Sequence, residues 1–297
     1  MTNELSRRTA LRGMGAVLVA APLAGWLTAC STTEPGGSQA GTDEDVLARA
    51  REAGVLRVAI GNEPPYTKLE TDGTVTGAEP DVLRAVAKRL GIDDIEGVQA
   101  PYESMIPGLK AGRWDVIAAG LFMKQSRCAE VSYTEPVIVS TESFGVPPGN
   151  PKGIEAVQDV LDNPELKIAI LPGGFEEGIL NTAKVPTDQQ VGVNDGRSGV
   201  EAVKAGRADA FFLPTLSLQA LAEDDSGFDV TDVVADAPKT GSGAAFRTGD
   251  TTMVEEYNKE LEAFKQTPEF ADILDKWGFD AAAADGVTTE ELCQNEG

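Results

Sequence analysis

Two short stretches of the chain repeat the same order of apolar and polar residues. Residues 56–60 (Leu-Arg-Val-Ala-Ile) return as residues 166–170 (Leu-Lys-Ile-Ala-Ile). Residues 110–116 (Lys-Ala-Gly-Arg-Trp-Asp-Val) return as residues 204–210 (Lys-Ala-Gly-Arg-Ala-Asp-Ala). The first pair is typical of a buried strand, and the second of a helix end with a left-handed glycine, followed by a strand. Because both motifs occur twice in the same order, they predict an α/β protein of two similar lobes with largely parallel sheets.

Apolar periodicity predicts most of the remaining elements. Pro80 can begin a helix and Gly91 can end it. Between them, Val82, Val86 and Leu90 recur on one helical face. Further helices are expected at 177–184, at 199–205 and within 250–277, and strands at 114–120, 208–213 and 228–234.

The repeat also indicates where the lobes divide. A Pro/Gly-rich segment at 147–151 precedes the body of the second copy, and Gly-Ser-Gly at 241–243 follows it. The helical region after residue 250 has no counterpart in the first copy, so we expect it to return to the first lobe. The chain would then cross between the lobes twice. The expected organisation is a signal peptide at 1–29, a flexible tether at 30–44, lobe 1 at 45–145 plus 246–297, and lobe 2 at 146–245.

The first thirty residues predict an export signal. Arg7 and Arg8 precede an apolar run at 14–26, which is shorter than the ~20 residues of a membrane span but typical of a signal peptide. The run leads into Leu-Thr-Ala-Cys at 27–30, which resembles a bacterial lipobox, and the arginine pair resembles a twin-arginine signal. We therefore expect cleavage before Cys30 and a lipid anchor on the outer face of the cytoplasmic membrane. A buried first helix is the alternative.

Composition excludes several classes of function. The formal net charge of the 297 residues is -23, so the field of the protein repels nucleic acid and anionic membrane surfaces. The chain has no histidine, which removes Ser-His-Asp and Cys-His catalysis and most zinc sites. We expect no nucleic-acid partner, no metal and no cofactor.

Two cysteines, Cys128 and Cys293, remain besides Cys30. Disulfides persist outside the cytoplasm, so a bridge between the two is one alternative, and two buried free thiols are the other. The bridge agrees with the predicted return of the C-terminal region to the lobe that holds Cys128.

Several segments resemble family 3 of the extracellular solute-binding proteins, namely residues 56–66, 106–113 and 127–136, and the resemblance extends over residues 45–293. It implies a type II periplasmic-binding-protein-like fold, which is α/β with two similar lobes, a double chain crossover and a central cleft. It also implies a monomeric receptor that hands a solute to the permease subunits of an ATP-driven ABC importer. Within the family, the branch that binds ectoine and hydroxyectoine is the most similar, in Asn62–Tyr66, Ala118–Phe122, Arg127–Cys128, Gly174–Gly178 and Glu290–Cys293.

Loops that follow predicted strands carry the candidate binding residues, because ligands of such folds lie at the carboxyl ends of the strands. Arg127 can donate two parallel hydrogen bonds to a solute carboxylate, and the resemblance implies that role at this position. Its alternative is a surface ion pair with Glu130. The full set of candidates is Glu63, Tyr66, Tyr102, Phe122, Arg127 and Glu176.

The other candidates suit a cation. Tyr66, Tyr102 and Phe122 would form an aromatic box, because ring faces attract delocalised cations by about 0.5–2 kcal/mol each. Glu63 and Glu176 would accept hydrogen bonds from cationic N–H groups. The alternatives are that the rings only pack against their own loops and that the carboxylates are solvated. Glu177 could also take the place of Glu176 at the ligand.

One segment departs from the amino-acid-binding members of the family. Those proteins carry an aspartate just after the strand that corresponds to residues 208–213, where it holds the primary ammonium, whereas this chain has Phe-Phe-Leu-Pro-Thr at 211–215. The departure favours a small zwitterion with a delocalised cation, such as ectoine or hydroxyectoine, and Asp195 is the alternative ammonium partner. Three other functions stay open: a receptor for a polar or modified amino acid, a dehydratase-like enzyme with Glu63 or Glu176 as its acid, and an accessory sensor.

Overall fold

A computed structural model describes residues 45–225 and 227–296. The expected signal peptide, the lipidation site at Cys30 and the tether lie outside the described residues. Within the described ranges, the structure has no helix with both the length and the apolar character of a membrane span.

Helices and strands alternate along most of the chain. The helices are α1 (Val46–Ala53), α2 (Ala78–Arg89), α3 (Tyr102–Lys110), α4 (Gln125–Cys128), α5 (Val157–Asp162), α6 (Phe175–Thr182), α7 (Gly196–Lys204), α8 (Thr215–Asp224), α9 (Thr251–Lys265), α10 (Pro268–Lys276) and α11 (Thr289–Leu292), with 3-10 turns at Thr187–Gln189 and Ala281–Ala284. The strands are β1 (Val55–Ile60), β2 (Lys68–Leu69), β3 (Val75–Thr76), β4 (Asp94–Gln99), β5 (Val116–Ile117), β6 (Ser132–Tyr133), β7 (Ile138–Ser140), β8 (Glu142–Val146), β9 (Ile168–Ile170), β10 (Gln190–Gly192), β11 (Ala210–Pro214), β12 (Asp229–Val230), β13 (Thr240–Ser242) and β14 (Ala245–Phe246).

Two five-stranded sheets with the same plan form the two lobes. The first has the order β4-β1-β5-β14-β6, in which β1 runs parallel to β4 and β5 while β14 is antiparallel to its neighbours. The second has the order β10-β9-β11-β8-β12, in which β9 runs parallel to β10 and β11 while β8 is antiparallel to its neighbours. The predicted α/β fold of two similar, largely parallel lobes is therefore confirmed.

The repeated sequence motif makes the same backbone contacts in both lobes. Asp115 N donates to Arg57 O at 2.9 Å, and Arg57 N donates back to Asp115 Oδ2 at 3.2 Å. Asp209 and Lys167 repeat this exchange at 2.7 and 2.9 Å. The aspartate of each motif thus fastens the strand after the helix to the first strand of its lobe, which explains why the motif occurs twice.

Predicted helix ends agree with the structure. Gly91, Gly112 and Gly206 all have φ between +67° and +80°, the left-handed conformation in which a helix can end. The predicted strand at 114–120 is shorter than expected, because β5 pairs regularly only at Val116 and Ile117 before the chain turns into a loop.

Two strands carry the chain between the sheets. It leaves the first sheet after β6 and enters the second at β8 by way of β7, and it returns from β12 to β14 by way of β13. Strands β7 and β13 pair antiparallel with each other, with Val139 opposite Gly241. The double crossover expected for this fold is therefore present, and its two passes are hydrogen-bonded side by side.

The C-terminal region packs against the first lobe. In α10 and just after it, Lys276 Nζ and Trp277 Nε1 each donate to Asp81 Oδ2 of α2 at 2.9 Å. A disulfide joins Cys128 and Cys293, with their Cα atoms 5.9 Å apart, so the bridged alternative is confirmed.

Candidate functional site

A small, partly open cavity lies between the lobes. Its walls come from the carboxyl ends of the parallel strands β1, β4, β5, β9 and β11, where this kind of sheet presents its loops. Its lining residues are Glu63, Tyr102, Gly120, Phe122, Arg127, Gly174, Phe175, Glu176 and Pro214.

Glu63 follows β1 and is buried, with 8% of its surface exposed. Its Oε1 accepts a 2.7 Å hydrogen bond from Ser217 Oγ on α8 of the second lobe, and its Oε2 lies 3.1 Å from the hydroxyl of Tyr102. Burial, together with the negative charge of Glu176, raises the pKa of Glu63 to about 7, although the hydrogen bonds from Ser217 and Tyr102 oppose the increase. Glu63 is therefore a carboxyl group that changes its charge near neutral pH in the unliganded protein.

Arg127, in the short helix α4, is 6% exposed and is the cationic group of the cavity wall. Its Nη1 donates to Phe122 O at 2.6 Å, and its Nη2 donates to Gly173 O of the second lobe at 2.7 Å. A guanidinium has five N–H donors, so among the contacts of the described residues three N–H groups stay open to a ligand. The surface alternative does not hold, because Glu130 pairs with Lys110 instead.

Gly173 brings the loop after β9 close to the first lobe. Its φ is +75°, and a Cβ at this position would lie 2.6 Å from the backbone nitrogen of Glu103 in α3. A larger residue would therefore push the two lobes apart at the point where Arg127 binds the carbonyl of this loop.

Three rings surround the cavity, and a fourth supports them. Tyr102, Phe122 and Phe175 contribute to the wall, and the rings of Phe122 and Phe175 meet edge to face at 5.8 Å. Tyr66 lies behind the wall: it packs edge to face on Phe122 at 5.6 Å, and its hydroxyl is hydrogen-bonded to Ser140 Oγ in β7. The structure thus brings all three predicted aromatics together, with two at the cavity and one in support.

Glu176 lies in the first turn of α6 and is 3% exposed. Burial raises its pKa, while a backbone hydrogen bond, a hydrogen bond with the carboxyl group of Glu142 and the charges of Arg127 and Lys124 oppose the increase. Its neighbour Glu177 is half-buried and accepts a hydrogen bond from Gly173 N at 2.7 Å. Of the two glutamates, Glu176 is the one at the cavity.

The charges around the cavity are arranged for a zwitterion. The guanidinium of Arg127 provides the positive wall, and the carboxyl groups of Glu63 and Glu176 provide the negative one. The rings between them present apolar faces with negative π-density, which suit a delocalised cation. Such a site binds and orients a small charged molecule.

Sequence reasoning missed several residues of the site. Phe175 and Pro214 line the cavity, Ser217 holds Glu63, and Glu142 contacts Glu176 from behind. Phe175 could have been found in the sequence, because it comes directly before the predicted Glu176. Asp195, considered as an ammonium partner, is exposed and caps α7 by accepting from Ser198 N at 2.7 Å.

Comparisons with known proteins agree with this geometry. The family model of the bacterial extracellular solute-binding proteins, family 3, matches residues 56–281. A crystal structure of EhuB in complex with hydroxyectoine has 44% sequence identity and a TM-score of 0.82, and the match covers 85% of this chain and 99% of that one. A probable amino-acid ABC transporter periplasmic-binding protein of Sinorhizobium fredii is 33% identical over 265 residues, 86% of either chain.

A more distant structure shows the fold alone. The ancestral amino-acid-binding protein AncCDT-1, described as a precursor of cyclohexadienyl dehydratase, has 24% identity and a TM-score of 0.68, and covers 78% of this chain and 98% of its own. The matching family and the two more similar proteins are solute-binding proteins and not enzymes. They therefore do not support the dehydratase hypothesis.

Proposed function

The chain belongs to family 3 of the bacterial extracellular solute-binding proteins and serves an ABC transporter, and we propose that its solute is ectoine or hydroxyectoine. The observation that carries this proposal is the placement of Arg127 opposite Glu63 and Glu176 in a small cavity with aromatic walls. Ectoine-type solutes combine a carboxylate with a ring-borne, delocalised cation, so both of their charges have a partner here.

The carboxylate of the solute binds Arg127 in this proposal. Two N–H groups of the guanidinium already bind carbonyl oxygens, which fixes its plane, and the remaining donors can form a bidentate pair with a carboxylate. The cation lies between the rings of Tyr102, Phe122 and Phe175, with its N–H groups directed to Glu63 and Glu176. The EhuB structure, at 44% identity, contains hydroxyectoine and supports this choice of solute.

The solute is captured by closure of the lobes. Ser217 binds Glu63 and Gly173 binds Arg127, so both charged walls are held by contacts between the lobes. A solute that touches both walls favours this arrangement over an open one, because only differential contact can shift such an equilibrium.

The protein is delivered to its transporter by a lipid anchor. The proposal is that Cys30 carries the lipid after removal of residues 1–29, that residues 30–44 act as a tether, and that the monomeric receptor docks on permease subunits. The support comes from the apolar run and lipobox-like end of the leader and from the arginine pair of a twin-arginine signal. The extracellular family agrees with export.

A second candidate ligand is a polar or modified amino acid. The Sinorhizobium fredii relative, at 33% identity, is named as a probable periplasmic-binding protein of an amino-acid ABC transporter. Two carboxyl groups in one cavity could also hold a primary ammonium. Against this ligand, β11 ends in Leu213 and Pro214, so the second lobe offers no acid at that strand end.

Calorimetric titration separates the candidates. The purified protein is titrated with ectoine, hydroxyectoine, glycine betaine, arginine and glutamine under the same conditions. One-to-one binding of ectoine or hydroxyectoine, with arginine and glutamine silent, is the expected result. Binding of arginine or glutamine alone would replace the proposed solute with an amino acid, and silence across the panel would refute both candidates.

A further inference from the structure

Glu142 has an unusual position behind the cavity. It begins β8, where the chain enters the second sheet, and only 1% of its surface is exposed. Its Oε1 accepts a 3.2 Å hydrogen bond from Thr240 Oγ1 in β13. Its Oε2 is buried and receives no hydrogen bond from any donor of the described residues. An ionised carboxylate with a buried, unpaired oxygen lowers the stability of the folded state, so we looked for a group near this oxygen that removes the cost.

The neighbour that explains it is Glu176. The carboxyl groups of Glu142 and Glu176 lie within hydrogen-bonding distance of each other. Two carboxylates in contact cannot both carry a full charge, so the pair holds one proton. A proton on Glu142 Oε2 turns the unpaired oxygen into a donor and Glu176 into its acceptor.

The surroundings decide which partner holds the proton. The groups that face the pair are Glu63 and Tyr66 from the loop after β1, Tyr102 at the start of α3, and Lys124 and Arg127 at α4. Both cations face Glu176 and favour its ionised form, as does the backbone hydrogen bond in the first turn of α6. Burial and the charge of Glu176 raise the pKa of Glu142 well above its usual range. The proton therefore belongs to Glu142.

We infer that Glu142 is a positioning residue of the solute site, which as a carboxylic acid donates its Oε2 hydrogen to Glu176 and holds that carboxylate against the cavity. Glu142 is not part of the cavity wall, so it acts on the solute only through Glu176. The inference rests on the proposed function, because it assigns Glu176 to the cation of a zwitterionic solute. It adds that one cavity carboxylate is set in place by a neutral acid at the first residue of β8.

Two substitutions separate positioning from packing. Glu142→Gln keeps the shape, and its amide can donate to Glu176 and accept from Thr240. Glu142→Met fills a similar volume but provides no hydrogen, which leaves Glu176 without its donor. We expect Glu142→Gln to bind hydroxyectoine within about threefold of the wild type, and Glu142→Met to bind about tenfold or more weakly. Thermal unfolding of each variant verifies that it is folded.

Infrared spectroscopy of the unliganded protein at pH 9 tests the proton itself. Glu63 and Glu79, whose pKa values burial raises to about 7, are ionised at this pH. A C=O stretch of a protonated, buried carboxylic acid should persist in the wild type and disappear in Glu142→Gln. This measurement uses no solute, so it decides whether Glu142 is protonated regardless of the binding result. Failure of the wild type to bind hydroxyectoine would instead refute the proposed function.

The two readouts together decide the inference. It stands if the infrared band is lost in Glu142→Gln while that variant keeps its affinity and Glu142→Met does not. It is overturned if the band is missing from the wild type at pH 9, if Glu142→Gln binds as weakly as Glu142→Met, or if both variants bind like the wild type.

Discussion

Ser217 Oγ donates a 2.7 Å hydrogen bond to Glu63 Oε1 from the opposite lobe, although the two residues are 154 positions apart in the chain. Both side chains are buried, and Glu63 belongs to the wall of the cavity. The bond can exist only when the lobes are close together. It therefore links the closed arrangement of the protein to the charge of a binding-site carboxylate.

Replacing Ser217 by alanine should weaken closure. The loss of one buried hydrogen bond to a charged acceptor costs about 1.5–3 kcal/mol, and part of that cost falls on the closed state. We expect weaker solute binding and a larger radius of gyration of the unliganded protein, measured by calorimetry and small-angle X-ray scattering. Ser198, whose hydroxyl lies at the start of α7 in the same lobe, provides the control substitution to alanine. Equal behaviour of the two variants would show that the Ser217 bond does not contribute to closure.

Replacing Arg127 by alanine should remove most of the affinity. The solute carboxylate would then be buried without its partner, and the expected cost is about 2–5 kcal/mol by analogy with truncated buried charge pairs. The exposed Arg113 of the same lobe, replaced by alanine, is the control for loss of one positive charge. Calorimetric titration of both variants provides the comparison. An Arg127→Ala protein that binds as tightly as Arg113→Ala would exclude the guanidinium from the site.

Replacing Phe122 by leucine tests the contribution of the ring face. Leucine keeps apolar bulk against Tyr66 and Phe175 but lacks π-density, so a delocalised cation should lose about 0.5–2 kcal/mol of binding free energy. The affinity for hydroxyectoine, determined by calorimetry, is the quantity to compare. If leucine binds the solute as well as phenylalanine does, the wall acts only by its shape.

The stability of the unliganded protein should fall between pH 5 and pH 8. Burial raises the pKa of Glu79 to about 7, against hydrogen bonds from Ser242 and the backbone of Gly120 that favour its ionised form. The pKa of Glu79 is higher in the folded state than its value near 4.5 in the unfolded chain, so the folded state binds the proton more tightly. The resulting stabilisation is complete below about pH 4.5 and is lost as the pH rises through about 7. The melting temperature should therefore be higher at pH 5 than at pH 8.

Glu79→Gln should reduce this decrease in melting temperature by at least about 2 °C, because glutamine does not ionise while its amide can accept from Gly120 and donate to Ser242. The exposed Glu130, replaced by glutamine, is the control and should retain the decrease seen in the wild type. Calorimetric scans at both pH values measure the difference. A decrease of the same size in Glu79→Gln and the wild type would mean that Glu79 does not titrate in this range.

The sequence predicted the two-lobed fold well because its repeats reflect hydrogen bonds. Asp115 and Asp209 form the same pair of hydrogen bonds with the first strand of their lobes, so the same sequence motif occurs in both lobes. The positions of the connecting strands were harder to predict. The Pro/Gly-rich segment at 147–151 follows β8, whereas the chain passes between the sheets earlier, at β7. Short strands such as β7 have too few residues to show an alternation of apolar and polar positions.

The candidate site was predicted in part for a similar reason. Glu63 and Phe122 lie in loops directly after predicted strands, and Arg127 lies in the short helix α4 just beyond one of these loops, so the sheet plan alone brings them to the cleft. Ser217 could not be found in this way, because it meets Glu63 only after the lobes fold against each other. Glu142 could not be found either, because it begins a strand and does not lie in the loop after one. The placement of Tyr66 behind Phe122 likewise depends on three-dimensional packing.

The placement of the solute between Arg127 and the two glutamates is best examined in a crystal structure of the protein with hydroxyectoine. We expect the solute carboxylate within hydrogen-bonding distance of the Arg127 guanidinium, the solute ring in contact with Phe122, and its N–H groups facing Glu63 and Glu176. A carboxylate bound elsewhere, or a cation that lies away from both glutamates, would refute this placement.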